Sequence, residues 1–283
     1  MILPMKKFLL QYSSQQRTLT TQHSSQQTRE NSMNCIRDRI LVAMAAGVMW
    51  IALPCHAQAA DMDMYRERYA SRMNDNELMS KITDNRGDGF EDLYGTRNMR
   101  VVLHGIFYRG GGNNAYHRER PRDNMNPLPQ DGLDNLCKEG FSRAVYLYDR
   151  NWKAETLACT SRIDGAENTL NYDKRSDLYS TGAMRPLLAS IHACIQGGEG
   201  CPIYAHCWNG WHASGFAAAV VLRQFCSFSA DAAVNYWIDG TDSPGNSNIP
   251  FVKTAIRNFV PYSDLVVDAA TQQRICPRSP YSP

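Results

Sequence analysis

From residue 100 onward, short apolar runs alternate with amphipathic ones, and that alternation predicts the elements. RVVLHGIFYRGGG (100–112) has β-rich segments either side of His104-Gly105, the pattern of a hairpin ending in a glycine turn. PQDGLDNLCKEGF (129–141) reads as a short helix closed by glycine, and RAVYLYD (143–149) as a Val- and Tyr-rich strand. A loop carrying Trp152 and Cys159 leads into NTLNYDKRSD, a short strand running into a charged loop. Met184, Leu187, Leu188 and Ile191 fall on one face of a helix over 181–196. CPIYAH (201–206) is a short buried strand, and SGFAAAVVLRQFC (214–226) a helix whose small residues permit close approach to a sheet. Ser229 caps a helix that opens SADAAVNYWID (229–239), and PFVKTAIRNFV (250–260) begins a last one. Strands alternating with helices predict one α/β domain over 99–283, a mainly parallel central sheet flanked by helices. No repeat and no second boundary interrupts it.

The residues before it divide differently. Residues 60–98 are polar, with helical spacing in MYRERYASRMNDNELMSKI and then a loop, DNRGDGFEDL, that lacks the ligand spacing of a calcium site. Residues 11–32 are rich in Gln, Ser and Thr and cannot offset the entropy of ordering, so 1–32 reads as a disordered upstream extension. From Met33 the text changes: Arg37 and Arg39, then an apolar stretch of about 15 residues, then Ala57-Gln58-Ala59. That run falls short of the roughly 20 residues of a membrane span. It predicts an export signal over 33–59, cut after Ala59, and a periplasmic or secreted product with no membrane attachment.

Composition adds little except through cysteine. A content of 43% hydrophobic and 20% charged residues fits an ordinary globular core, and a net charge of +2 gives no reason to expect nucleic acid. Of nine cysteines, Cys35 and Cys55 belong to the signal. Seven remain: Cys137, Cys159, Cys194, Cys201, Cys207, Cys226 and Cys276. In an oxidising compartment cysteines pair, and an odd count leaves one free. Cys194 and Cys201 flank the turn-rich IQGGEG and form the expected pair; the rest of the connectivity stays open. Cys207 is the candidate free thiol.

Its surroundings, HCWNGWHASG (206–215), give the chemistry. A strand–loop–helix unit aims backbone N–H groups and a helix dipole at one point, an anion cradle formed by Trp208, Asn209, Gly210, Trp211, His212 and Ala213. The same field favours the thiolate of a cysteine at its base, a competent nucleophile. The Ser214 hydroxyl stabilises that thiolate as a leaving group or caps the helix.

The segment resembles the signature loop of the cysteine-dependent tyrosine and dual-specificity phosphatases: His-Cys, five residues, Arg, Ser/Thr, Gly. His206, Cys207, Gly210, Ser214 and Gly215 match it, and IFYRGG and LDNLCKEGFSRAVYLYD resemble the family's upstream strand and its helix plus central strand. The resemblance spans roughly 98–260. It implies a phosphatase-like α/β fold and a two-step reaction through a phosphocysteine, on a phosphorylated small molecule or protein, with neither metal nor cofactor. The family's acid lies on a loop about thirty residues upstream, where Asp177 and Asp173 stand 30 and 34 residues before Cys207; Asp177 is favoured. His206 would orient the loop from below. The departure is Ala213, where the family holds the arginine that grips phosphoryl oxygens. Loss of a comparable cation costs phosphoryl transfer roughly 10³–10⁵ in rate. Three outcomes follow: another cation (Arg109, Arg175, Arg185 or His212) fills the gap, the loop binds phosphate without turnover, or Cys207 and His212 attack a different group. The oligomeric state is not implied.

Overall fold

The computed structural model describes residues 57–180 and 182–281. The upstream extension and almost all of the export signal lie outside the described residues. Residues 61–283 make one compact unit. A helix, α1 (Ala57–Arg68), leads into it. Beyond Arg68 the helical spacing continues only as a 3-10 turn over Ala70–Arg72, after which the Asn74 side chain accepts from the Asn76 amide and turns the chain locally.

The hairpin forms as expected, β1 (Thr96–Leu103) antiparallel to β2 (Phe107–Gly112). Its glycines, however, are not a turn. Gly110, Gly111 and Gly112 lie within β2 and are buried, for a reason that belongs to the site below. After α2 (Gln130–Lys138) come β3 (Arg143–Tyr146), β4 (Glu155–Thr160) and β5 (Glu167–Lys174). β4 occupies what reads in the sequence as a loop. Then follow α3 (Arg185–Ile195), β6 (Ile203–Cys207), α4 (His212–Phe225), α5 (Ala230–Asp239) and α6 (Pro250–Asn258). A short α7 (Ala269–Ile275), capped by Asp268, was not foreseen. Ser229 caps α5, accepting from the Ala232 amide.

The six strands run β1-β2-β6-β3-β5-β4. The four inner strands are mutually parallel and each edge strand is antiparallel to its neighbour, so the sheet is mainly parallel. Side chains alternate between two cores. On one face Val145, Leu147, Ile203 and Ala205 meet Leu187 and Ile191 of α3, Phe216 and Val220 of α4, and Trp237 of α5. On the other, Tyr108, Tyr146 and Tyr204 meet Tyr65 of α1, Tyr69 just beyond it, and Leu133 and Leu136 of α2. The Ala-rich stretch of α4 is buried almost throughout, the close approach its small residues allow.

Three disulfides hold the periphery: Cys137–Cys159 between α2 and β4, Cys194–Cys201 between α3 and β6, and Cys226–Cys276 between α4 and α7. Cys207 alone is free among the described cysteines, as the odd count requires. No helix among the described residues is long and apolar enough to cross a membrane.

Candidate active site

In a parallel sheet, ligands collect beyond the C-terminal strand ends, where neighbouring connections leave on opposite faces. β2 is followed by α2 on one face and β6 by α4 on the other, although the two strands are parallel neighbours. Cys207 ends β6 at that crevice, 3% exposed.

The loop from Cys207 to α4 is shaped from behind. Four successive carbonyls are engaged: Cys207 O by His206 Nδ1 at 3.2 Å, Trp208 O by the Gly112 amide at 3.2 Å, Asn209 O by Asn98 Nδ2 at 2.8 Å, and Gly210 O by Arg109 Nη1. In a trans peptide the N–H points opposite to the carbonyl, so the following amides turn away from the sheet. Those of Trp208, Asn209 and Trp211 donate to no acceptor among the described residues. The first-turn amides of α4 add to them, since helix geometry leaves those without intrahelical partners.

Gly111 makes this seat possible. Its neighbour across the crevice is Asn209, and a Cβ at 111 would lie 2.5 Å from Asn209 C and Gly210 N. Gly210 itself takes φ +79°, a conformation open to glycine. Ser214 Oγ lies 3.3 Å from Cys207 Sγ, both buried.

His206 is fully buried and fixed in one tautomer. Its Nδ1 faces a carbonyl and must carry the proton, so Nε2 accepts from the Tyr172 hydroxyl at 2.8 Å. That hydroxyl in turn accepts from the Leu128 amide at 3.1 Å. Burial pushes His206 down to about 3, so it stays neutral.

Two aromatic groups adjoin the thiol. Trp208 stacks on Tyr148 at 4.5 Å and donates to the Tyr146 hydroxyl at 2.8 Å. Tyr179 packs on Phe216 at 4.7 Å and on Phe251, which is 60% exposed. Burial first, then the neighbouring Cys207, raises both Tyr148 and Tyr179 above the ordinary phenol value.

The cations are distributed unlike the family pattern. Ala213 is fully buried in the core. Arg109 lies behind the loop, donating to Gly210 O and to the Tyr236 hydroxyl at 2.9 Å, with its buried Nη2 unpaired. Arg185 is held at the surface by Asp264. His212 Nε2 donates to Asn246 O at 2.8 Å, and Trp211 Nε1 donates to Asp242 at 3.1 Å. Asp242 also binds Lys81 and the buried Arg100. Burial would raise the Asp242 carboxyl, but the Lys81 bond and the Arg100 charge outweigh it and hold it low. Burial and the neighbouring Arg109 bring Arg100 down to about 10.

The two candidate acids differ in their engagement. Asp173, on β5, is bound by Arg143. Asp177, three residues past β5, is exposed, and its carboxylate has no hydrogen-bond partner among the described residues. Sequence reasoning missed Arg97, Asn98, Tyr172 and the seating role of Gly111. All act across strands, and only the triple glycine left a trace in the sequence.

Sequence comparison finds no matching family model and no matching curated protein. Among solved structures, a protein tyrosine phosphatase of Trypanosoma brucei aligns with 79% of this chain and 90% of its own, at 14% identity and a TM-score of 0.28. A likeness that loose says nothing about site residues.

Proposed function

We propose that the chain is an exported, cysteine-dependent phosphatase-like hydrolase that cleaves phosphomonoesters through Cys207. The observation that carries this reading is the free thiol at the base of a loop whose carbonyls are tied back and whose amides are unspent. The Cys207 thiolate attacks phosphorus; the ester P–O bond breaks, and Asp177 gives its proton to the departing oxygen. Water then attacks the phosphocysteine, passing a proton to Asp177 and releasing phosphate and thiolate. The amides hold the non-bridging oxygens as charge develops on them, and Ser214 donates to the sulfur as it leaves. His206, neutral, holds the loop and moves no proton. Asp177 is favoured over Asp173 because Arg143 occupies the latter. The three disulfides support an oxidising compartment.

The second reading is a pseudophosphatase that holds a phosphorylated or anionic ligand without turnover, favoured by the buried alanine at position 213. Aryl-phosphate hydrolysis by the wild-type chain beside Cys207→Ser separates the two. The first expects turnover that vanishes in the serine variant and falls about 10²–10⁴-fold in Asp177→Asn. Binding of inorganic phosphate with no Cys207-dependent product establishes the second. Amino-terminal sequencing of the exported form tests the signal: a chain retaining residues 33–59 refutes cleavage.

A further inference from the structure

Arg97 on β1 is paired in register with Gly111 on β2, so both face the same side of the sheet. The side-chain-free glycine leaves a path, and the Arg97 side chain reaches the cysteine loop: Nη1 donates to Asn209 Oδ1 at 3.2 Å. Nη1 also donates to Asn124 Oδ1 at 3.1 Å, and Nη2 to Asn85 Oδ1 at 2.6 Å. The Tyr116 ring covers the guanidinium at 5.0 Å. The residue is 2% exposed.

All three hydrogen-bond partners are neutral amides, and no carboxylate forms an ion pair with Arg97 among the described residues. Its Nε is buried with no acceptor at all. Removing a guanidinium from water without a counter-ion is costly, and a fold that needed only a structural link could use a neutral side chain. The anionic groups that act on it through space are Tyr116, Asp242, Cys207 and Asp84, in that order, and none of the carboxylates is within ion-pair distance. The other candidates point elsewhere: Arg109, also buried and with its Nη2 unpaired, is aimed at the loop's carbonyl face rather than its amides, Arg185 is bound to Asp264 and His212 to Asn246. Arg175 lies under the charges of Arg143, Asp173 and Asp177.

We propose that Arg97 is a positioning residue that supplies the positive charge the loop lacks at position 213, fixing Asn209 while its guanidinium stays free of any ion pair beside the anion cradle. The inference rests on the phosphatase-like reading only in taking a tetrahedral oxyanion as the ligand.

Sodium tungstate, read by tryptophan fluorescence of the purified full chain, tests it. Asn85→Asp is the decisive variant. Asn85 Oδ1 accepts from both Arg97 and Asn98, so a carboxylate keeps those bonds and neutralises the guanidinium without deleting it. The variant is expected to bind tungstate about tenfold more weakly with Tm unchanged or higher, a combination a merely structural role would not produce. Arg97→Met is expected to weaken binding at least as much. Asn85→Asp binding as tightly as wild type overturns the proposal; so does Arg97→Met binding as tightly. Where Arg97→Met does not fold, Asn85→Asp decides alone. Aryl-phosphate turnover on the same proteins is a separate reading: its absence from the wild type removes the phosphatase reaction and leaves tungstate affinity to decide the role of Arg97.

Discussion

At the residue scale, His206 shows how a buried histidine holds a loop without titrating. Its value of about 3 lies below the unfolded value of 6.5, so between those limits the unfolded chain binds the extra proton. The stability it contributes is complete above pH 6.5 and is lost as pH falls toward 3. The slope reaches at most about 1.4 kcal/mol per pH unit. His206→Asn offers no titrating group, and urea midpoints measured from pH 4 to 7 are expected to give a flatter acid limb than wild type. Ala213 carries the opposite lesson. Restoring the family's arginine there is expected to lower Tm and leave turnover unimproved, because the position is fully buried and a guanidinium would overfill it and lose its hydration. Thermal melts beside an aryl-phosphate assay of Ala213→Arg check this; a stable variant with faster turnover would show that the position can still serve the loop.

At the element scale, the loop is a product of β2 as much as of β6. Gly111→Ala is expected to cost about 2–3 kcal/mol and to loosen tungstate binding, since the added Cβ meets loop backbone rather than a movable side chain. Denaturant unfolding beside the tungstate titration measures both. The sheet, its flanking helices and the strand–loop–helix around Cys207 were legible in the sequence because local periodicity and small-residue runs encode them. β4 was not, because ETLACT is an edge strand without polar–apolar alternation, none of it fully buried, and Trp152 and Lys153 lead into it like a loop. The support behind the loop was illegible for another reason. Asn98, Arg97 and Tyr172 are separated from Cys207 by 35 to 110 residues, and only the register of β1, β2 and β5 brings their polar ends to the loop. Asn98 and Arg97 look in sequence like ordinary polar residues before a strand.

At the scale of the whole molecule, the described cysteines divide into three bridges and one free thiol. Denatured without reductant, the mature chain is expected to show one thiol by titration, Cys207. A chain still carrying Cys35 and Cys55 would show up to three. The chain-entropy relation ranks the bridges by the loops they close: removing Cys226–Cys276, with a separation of 50, is expected to cost about 4 kcal/mol. Cys194–Cys201, with a separation of 7, is worth about 2 kcal/mol. Paired Ser substitutions followed by denaturant unfolding test the order; equal losses would put the stabilisation in local packing instead.

The tied-back carbonyls of residues 207–210 bear finally on how a ligand would arrive. Each is bonded by the protein's own groups, so an incoming oxyanion is expected to meet donors that need no rearrangement. Little ordering entropy remains to be lost on association. Calorimetry of tungstate binding is therefore expected to show a small conformational penalty, and stopped-flow mixing a single concentration-dependent phase with no slow isomerisation behind it. The order that a flexible loop would acquire with each ligand is acquired here once, when the chain folds.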